Sequence, residues 1–285
     1  MIKISVITWN GGFRESFHTV DSFAKQSFPT SEYEFIWAEY YDSADPVLLD
    51  KIHQVENAKV IFVNGEGQWH VGRCMNAGIA ASRGDLLVLI DGDIVVRPDF
   101  LTEMWQTHAA YKNLVLYVRR WDEPKTAHDA GQISVEHLET VCQLNNPTNY
   151  GGCLITGRQN IESAQGYEEH PIIGGPGAVS KELYTRLCNA GFPIMWHSTE
   201  KIYHPWHFGT LPSTDTLQQQ QQKWVIKQRG LDLSTRADQR QIDSYLMNYS
   251  EVHKSSVQLS IKKMVRIIPG SASLIQFLRW TGNHA

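Results

Sequence analysis

The chain has 285 residues and a formal net charge of −4, with 42% hydrophobic and 20% charged residues. That composition suits one large α/β domain, or a domain with an appendage, and argues against a disordered chain. The slight negative charge gives no support for general nucleic-acid binding.

Ile2 to Thr8 is rich in β-branched residues and predicts a first strand, broken by Trp9-Asn10-Gly11-Gly12. Phe13 to Gln26 then carries apolar residues at helical spacing (Phe13, Phe17, Val20, Phe23, Ala24) and stops at Phe28-Pro29. Glu34 to Ala38 predicts a second strand with Glu39 at its carboxyl end, and Val60 to Val63 a third. A helix over Gly72 to Ala81 leads into Leu86 to Ile90, five aliphatic residues that suit a strand buried on both faces. Phe100 to Tyr111 reads as a helix and Leu114 to Val118 as a strand. Residues 119–150 are polar and broken by Pro124 and Pro147, with a helix expected over Val135 to Gln143. Gly152 to Thr156 restores order, Gly166 to Glu169 forms a turn, and a helix is expected over Leu183 to Ala190. Beyond Pro212 the composition turns polar and helical, which puts a boundary near Ser213. Strands alternating with helices predict an α/β layer fold.

The central strand carries the chemistry. Asp91 and Asp93 follow its apolar run directly, and Gly92 between them lets the backbone turn sharply. In an open α/β sheet ligands lie beyond the carboxyl ends of the strands, where one or two carboxylates with substrate phosphates commonly hold a hard divalent cation. The plain alternative is an acidic turn that merely ends a strand. His204 and His207, three positions apart, can face one cation or simply pack beside Trp206.

Cys74, Cys142, Cys153 and Cys188 show no Cys-x-x-Cys spacing, so reduced structural cysteines in a cytoplasmic protein are expected. No signal-peptide pattern follows Met1, and no segment has the apolar length of a membrane span. From His253 onward there is no acidic residue, while Lys254, Lys262, Lys263, Arg266 and Arg279 are interleaved with apolar side chains. Such helices can lie peripherally on an anionic membrane surface, on the inner face for a cytoplasmic protein, or pack against the domain or a second subunit.

Five runs in order resemble the family 2 glycosyltransferases with a GT-A fold: Ile4 to Asn10, Glu34 to Glu39, Gly72-Arg-Cys-Met-Asn-Ala-Gly78, Gly84 to Asp93, and Arg97 to Leu101. The resemblance implies a mixed, mostly parallel sheet flanked by helices. Residues 1–212 would form the GT-A domain, with a nucleotide-sugar half (1–103) and an acceptor half (104–212); 213–285 would be a helical extension. It implies metal-dependent transfer of a sugar from a nucleotide donor, a UDP-sugar favoured, to a glycan or glycolipid hydroxyl, with Mn2+ or Mg2+. Thr8, Trp9, Asn10 and Glu39 would meet the base, Arg73 and Asn76 would flank the diphosphate, and Asp91 with Gly92 would face the donor. Asp91, Asp93, His204 and His207 are the implied cation ligands, with Asp93 the direct one.

The departure lies at the base. Relatives carry an acidic pair after two glycines, whereas here Ile173-Gly174-Gly175 is followed by Pro176-Gly177. Glu169, in a Gly-Tyr-Glu-Glu turn, is the first replacement and Glu182 the second. Two rivals share the fold: a binding protein that has lost its base, and a nucleotidyltransferase. Against the latter, Gly11-Gly12 is too short for an activating loop.

Overall fold

Leu86–Ile90 forms the central strand, each residue at most 1% exposed, and the sheet is built outward from it. The computed structural model describes residues 1–130, 133–208, 216–230 and 233–267, the stretch from 254 by its backbone alone. The strands are β1 (Ile4–Asn10), β2 (Tyr33–Glu39), β3 (Ala58–Phe62), β4 (Leu86–Ile90), β5 (Val115–Asp122), β6 (Cys153–Gly157) and β7 (Ile194–His204), in sheet order β3-β2-β1-β4-β6-β5-β7. β6 runs antiparallel to both of its neighbours; the other pairings are parallel. Six strands therefore point the same way, and β4, β5 and β7 all end at one edge. This is the mixed, mostly parallel sheet that was expected.

The helices are α1 (His18–Ala24), α2 (Pro46–His53), α3 (Val71–Ala81), α4 (Phe100–Ala110), α5 (Val135–Val141), α6 (Arg158–Ser163), α7 (Pro176–Asn189), α8 (Thr216–Arg229) and α9 (Gln239–Ile267). Local chemistry starts several of them. Asp45 caps Val47 N–H at 2.7 Å ahead of a proline in the first turn of α2, and Ser134 caps His137 N–H at 3.3 Å in α5. On α3, a Cβ at Gly78 would sit 2.3 Å from Ile7 Cγ2, so only glycine lets this helix lie so close to β1. One large apolar cluster joins Val88 and Ile90 to Phe23, Phe35, Trp37 and Phe100. Truncating a side chain at such a position costs about 2–5 kcal/mol.

Three expectations are corrected. The first helix begins at His18, not Phe13, because Phe13 packs edge-on against Trp9 and Arg14 turns inward to Asp93. The helix after Gly175 starts at Pro176, seven residues before Leu183. β7 was not expected as a strand; it is an edge strand, exposed at Met195 and irregular where it passes Tyr117 and Arg119, so neither periodicity nor apolar content reveals it.

By its internal packing the chain forms two compact units, Met1–Ala237 and Asp238–Ala285. Arg229 of α8 is fully buried, and its Nε donates to Glu182 of α7 at 2.6 Å, which ties α8 to the first unit. Among the described residues, no helix is long and apolar enough to cross a membrane. The basic and apolar side chains from Lys254 to Trp280 lie outside the described side chains, so the expected membrane or subunit contact falls outside them too.

Candidate active site

Topology brings the implied ligands together. β4 delivers Asp91 and Asp93 to the carboxyl edge of the sheet, and β7, running the same way, delivers His204. A two-residue ladder closes the gap: Val95 N–H donates to Tyr203 O at 2.8 Å and Tyr203 N–H to Val95 O at 2.9 Å. The segment after Asp93 is further clipped to α1, where Ile94 N–H donates to Thr19 Oγ1 at 2.7 Å and Val96 N–H to Ser22 Oγ at 2.9 Å.

Asp93 Oδ2 lies 3.6 Å from His204 Nε2 and 3.5 Å from His207 Nε2, and the two nitrogens are 3.1 Å apart. In the plane of those three atoms the equidistant point is about 2 Å from each, the length of a metal–nitrogen or metal–oxygen bond. The remaining Asp93 oxygen, Oδ1, is buried without a hydrogen-bond partner. Behind His204, Asp122 Oδ1 sits 3.2 Å from Nδ1, the carboxylate–imidazole pairing that aims a ligand nitrogen outward. These donors fit a divalent cation. Asp91 stands outside the converging set: it accepts from Trp9 Nε1 at 3.4 Å and faces Arg120 Nη1 at 3.8 Å.

The protonation states follow from this crowding. Burial, then repulsion from Asp93, pushes Asp91 up to about 6. Burial works the other way on Asp93's neighbours: it would lower His204, but the Asp122 and Asp93 carboxylates outweigh it and push His204 up to about 9. Asp93 itself is held well below the usual carboxylate range; burial opposes this, and the Arg14 guanidinium and the two imidazoles prevail. Arg14, only 5% exposed, donates from Nη1 to Asp93 Oδ2 and from Nε to Trp9 O at 3.2 Å.

Asp93 and His207 line an open cavity of about 370 Å³ with Phe13, Arg14, His128 and Trp206. Arg73 lies on a second cavity of about 440 Å³ with Tyr40, Trp69, His70 and Gly175. The residues expected at the base are sealed: Thr8 and Glu39 are fully buried, and Trp9 and Asn10 are 2% and 3% exposed. Asn10 Nδ2 and Trp37 Nε1 donate to Glu39 Oε1 at 2.9 and 2.8 Å, while Glu39 Oε2 is left without a partner and burial raises the carboxyl above its ordinary range. Gly92 is packed so tightly that a Cβ would meet Arg14 Nε at 2.8 Å.

Asn76 braces the turn that carries Glu169. Its amide accepts from Tyr167 N–H at 2.8 Å and donates to Tyr167 O at 2.9 Å and to Glu169 Oε1 at 2.6 Å. Arg236 Nη2 lies 3.3 Å from Glu169 Oε2, and Glu169 lines neither of these two cavities. Glu182, considered as a base, is fully buried, and both of its oxygens accept from Arg186 Nε, at 2.8 and 2.9 Å. Its carboxylate is a structural anion. Sequence reasoning missed Arg14, Arg120, Asp122 and Glu123. The strand-end rule applied to Asp91 would have found Asp122, had β5 been extended past Val118.

The mixed, mostly parallel sheet with a carboxylate–imidazole cluster at its carboxyl edge is a GT-A type of fold. The family model for glycosyl transferase family 2 matches residues 18–163, and the chain belongs to that family. No curated protein matches the sequence. Among solved structures, residues 1–349 of S. aureus TarS in complex with UDP-GlcNAc align at TM-score 0.60 and 17% identity, over 89% of this chain and 73% of that one. The UDP complex aligns at TM-score 0.58 and 16% identity, over 89% and 72%. Against the longer TarS chain the match covers 88% of this protein and 43% of that one, at TM-score 0.57. At these identities the likeness shows the fold.

Proposed function

We propose that this protein transfers a glycosyl group, with inversion, from a UDP-sugar to a hydroxyl of a glycan or glycolipid acceptor, using Mn2+ or Mg2+. The observation that carries this reading is the convergence of Asp93, His204 and His207 on one point at the end of β4 in a family 2 chain. The UDP and UDP-GlcNAc complexes of TarS support the choice of donor. Asp93, His204 and His207 would hold the cation, which supplies Lewis-acid stabilisation of the departing diphosphate. This chain's own groups do the rest: Asp122 orients His204, Arg120 and Trp9 hold Asp91, and the buried ring of Trp9 packs against Phe13, on the wall of the Asp93 cavity, and Trp69, with centroids 5.3–5.6 Å apart.

Calorimetry of UDP with this protein tests the reading. With Mn2+ present UDP should bind, and EDTA or Asp93→Ala should weaken binding by at least about tenfold. Equal affinity in EDTA would remove the cation from the reading. Incubation with a panel of sugar nucleotides separates the rivals: sugar transfer or donor hydrolysis supports a transferase, and binding without turnover supports a binding protein.

A further inference from the structure

The proposed transfer needs a group to accept the acceptor's proton, and the carboxylates nearest to the family's pattern are occupied. Glu182 is enclosed by Arg186 and Arg229, Glu169 is held by Asn76 and Arg236, and Pro176-Gly177 brings no acid. The cavity that Asp93 and His207 share has a different candidate on its wall. Three imidazoles line it among the described residues: His18, His128 and His207. His207 is turned to Asp93 and to Phe208 O, and His18 forms no hydrogen bond or ion pair with a carboxylate among the described residues. His128 alone is held by a buried one, Glu123 Oε2, at 2.7 Å from Nδ1.

Glu123 is built for that purpose. Its side chain is 0% exposed, and its backbone N–H donates to His204 O at 2.9 Å, which locks the end of β5 against β7. Oε2 also accepts from Trp206 N–H at 2.9 Å, while Oε1 faces His137 Nε2 at 3.4 Å. A carboxylate can only accept, so Nδ1 of His128 is the nitrogen that carries a proton, and in the neutral tautomer so fixed Nε2 is the one with the lone pair. Among the described residues, His128 Nε2 makes no hydrogen bond of its own, and the ring is 21% exposed. A nitrogen base whose far side is fixed by a buried carboxylate is the arrangement that proton abstraction from a hydroxyl requires. Glu15, also on this wall, is exposed and has no such support.

We propose that His128 is the general base of the transfer and that Glu123 is its positioning residue. This rests on the glycosyltransferase reading above. As the acceptor oxygen bonds to the anomeric carbon, its proton passes to His128 Nε2. The bond from that carbon to the diphosphate oxygen breaks, and its electron pair leaves with the UDP. Imidazolium then stands where imidazole stood, paired with the Glu123 carboxylate, and returns the proton to solvent.

The test uses UDP-GlcNAc and three other UDP-hexoses as donors, with water as acceptor, and reads UDP release in Mn2+. His128→Asn keeps a donor near the Nδ1 position for Glu123 while deleting Nε2, and Glu123→Gln keeps the shape of the support. His128→Asn should lower the turnover rate by roughly 10²–10⁴-fold. Its affinity for UDP with Mn2+, measured by calorimetry, should stay within about twofold of the native value, and Glu123→Gln should lower turnover less, with the same unchanged affinity. His128→Asn turning over normally while Glu15→Gln or Glu169→Gln collapses would overturn the assignment and move the base. Parallel loss of UDP affinity in His128→Asn would overturn it as well, since that marks a structural or ligand role. Native protein that binds UDP yet releases none from any donor would overturn the transferase reading itself, and the base with it.

Discussion

Two carboxylate clusters sit in the same unit of this protein and differ in one respect. Around Glu182 the anion is saturated: Arg186 clasps it from one turn along α7, and Arg229 reaches it from α8. Neighbouring Glu168 is likewise spent, accepting from Glu169 N–H at 2.9 Å and Ala237 N–H at 3.1 Å. Around Asp93 the ligand atoms come from the end of β4, from β7 and from the loop after it, and lie within 3.6 Å of one another. A carboxylate enclosed by fixed guanidiniums holds helices together. One that shares a single guanidinium with two imidazoles, and keeps an oxygen unpartnered, can take a cation.

The sharpest way to break that contrast is Glu182→Ala. Removing one member of a buried charge group strands two guanidiniums away from water, which costs about 3–5 kcal/mol. The unfolding midpoint in urea should fall accordingly. A loss below about 1 kcal/mol would mean that the network contributes nothing that solvent cannot replace, and the contrast between closed and open clusters would fail.

On the other side, Asp122→Asn should keep the fold and loosen the aim of His204. Loss of a group that orients a ligand imidazole lowers metal affinity by roughly 10–100-fold. Mn2+ titration by calorimetry checks this, with the unfolding midpoint as control. Unchanged affinity in Asp122→Asn would show that His204 is held by its neighbours on β7 alone.

The open cluster was legible in the sequence because its parts are short and local. Leu86–Ile90 must be buried on both faces, and carboxylates at the end of such a strand have nowhere to go but the ligand edge. His204 and His207 were legible from their spacing. The closed cluster was not, because Arg229 and Glu182 are 47 residues apart and no periodicity relates them. Arg14 was hidden for a related reason. Phe13, Phe17 and Val20 fit a helical stripe, yet the Trp9–Phe13–Trp69 ring packing draws Phe13 out of helical register and carries Arg14 inward. The dyad of Glu123 and His128 lies in the polar stretch from Arg119 to Tyr150, where the reading from sequence had least to work with: two prolines, no sustained period, and a strand end concealed by Arg119-Arg120.

Arg14 is where the two clusters meet in kind, since it is a guanidinium placed on the open one. It reaches the same Asp93 oxygen that both imidazoles face, so a cation bound there must share that oxygen with Arg14 or displace it. Its other contacts make displacement feasible: one hydrogen bond from Nε to Trp9 O at 3.2 Å, and ring faces of Trp9 and Phe13 at 5.4 and 5.3 Å. Arg14→Gln removes the competing charge and keeps a polar side chain beside Gly92. One hydrogen bond to a carboxylate that no longer has to be exchanged is worth roughly 1 kcal/mol, about fivefold in affinity. Mn2+ should therefore bind Arg14→Gln about fivefold more tightly than the native protein, and the gain should vanish in the double variant with Asp93→Ala. Weaker binding in Arg14→Gln would mean that the guanidinium supports the site rather than guarding it, and the Asp93 cluster would then be closed to cations in the same sense as that of Glu182.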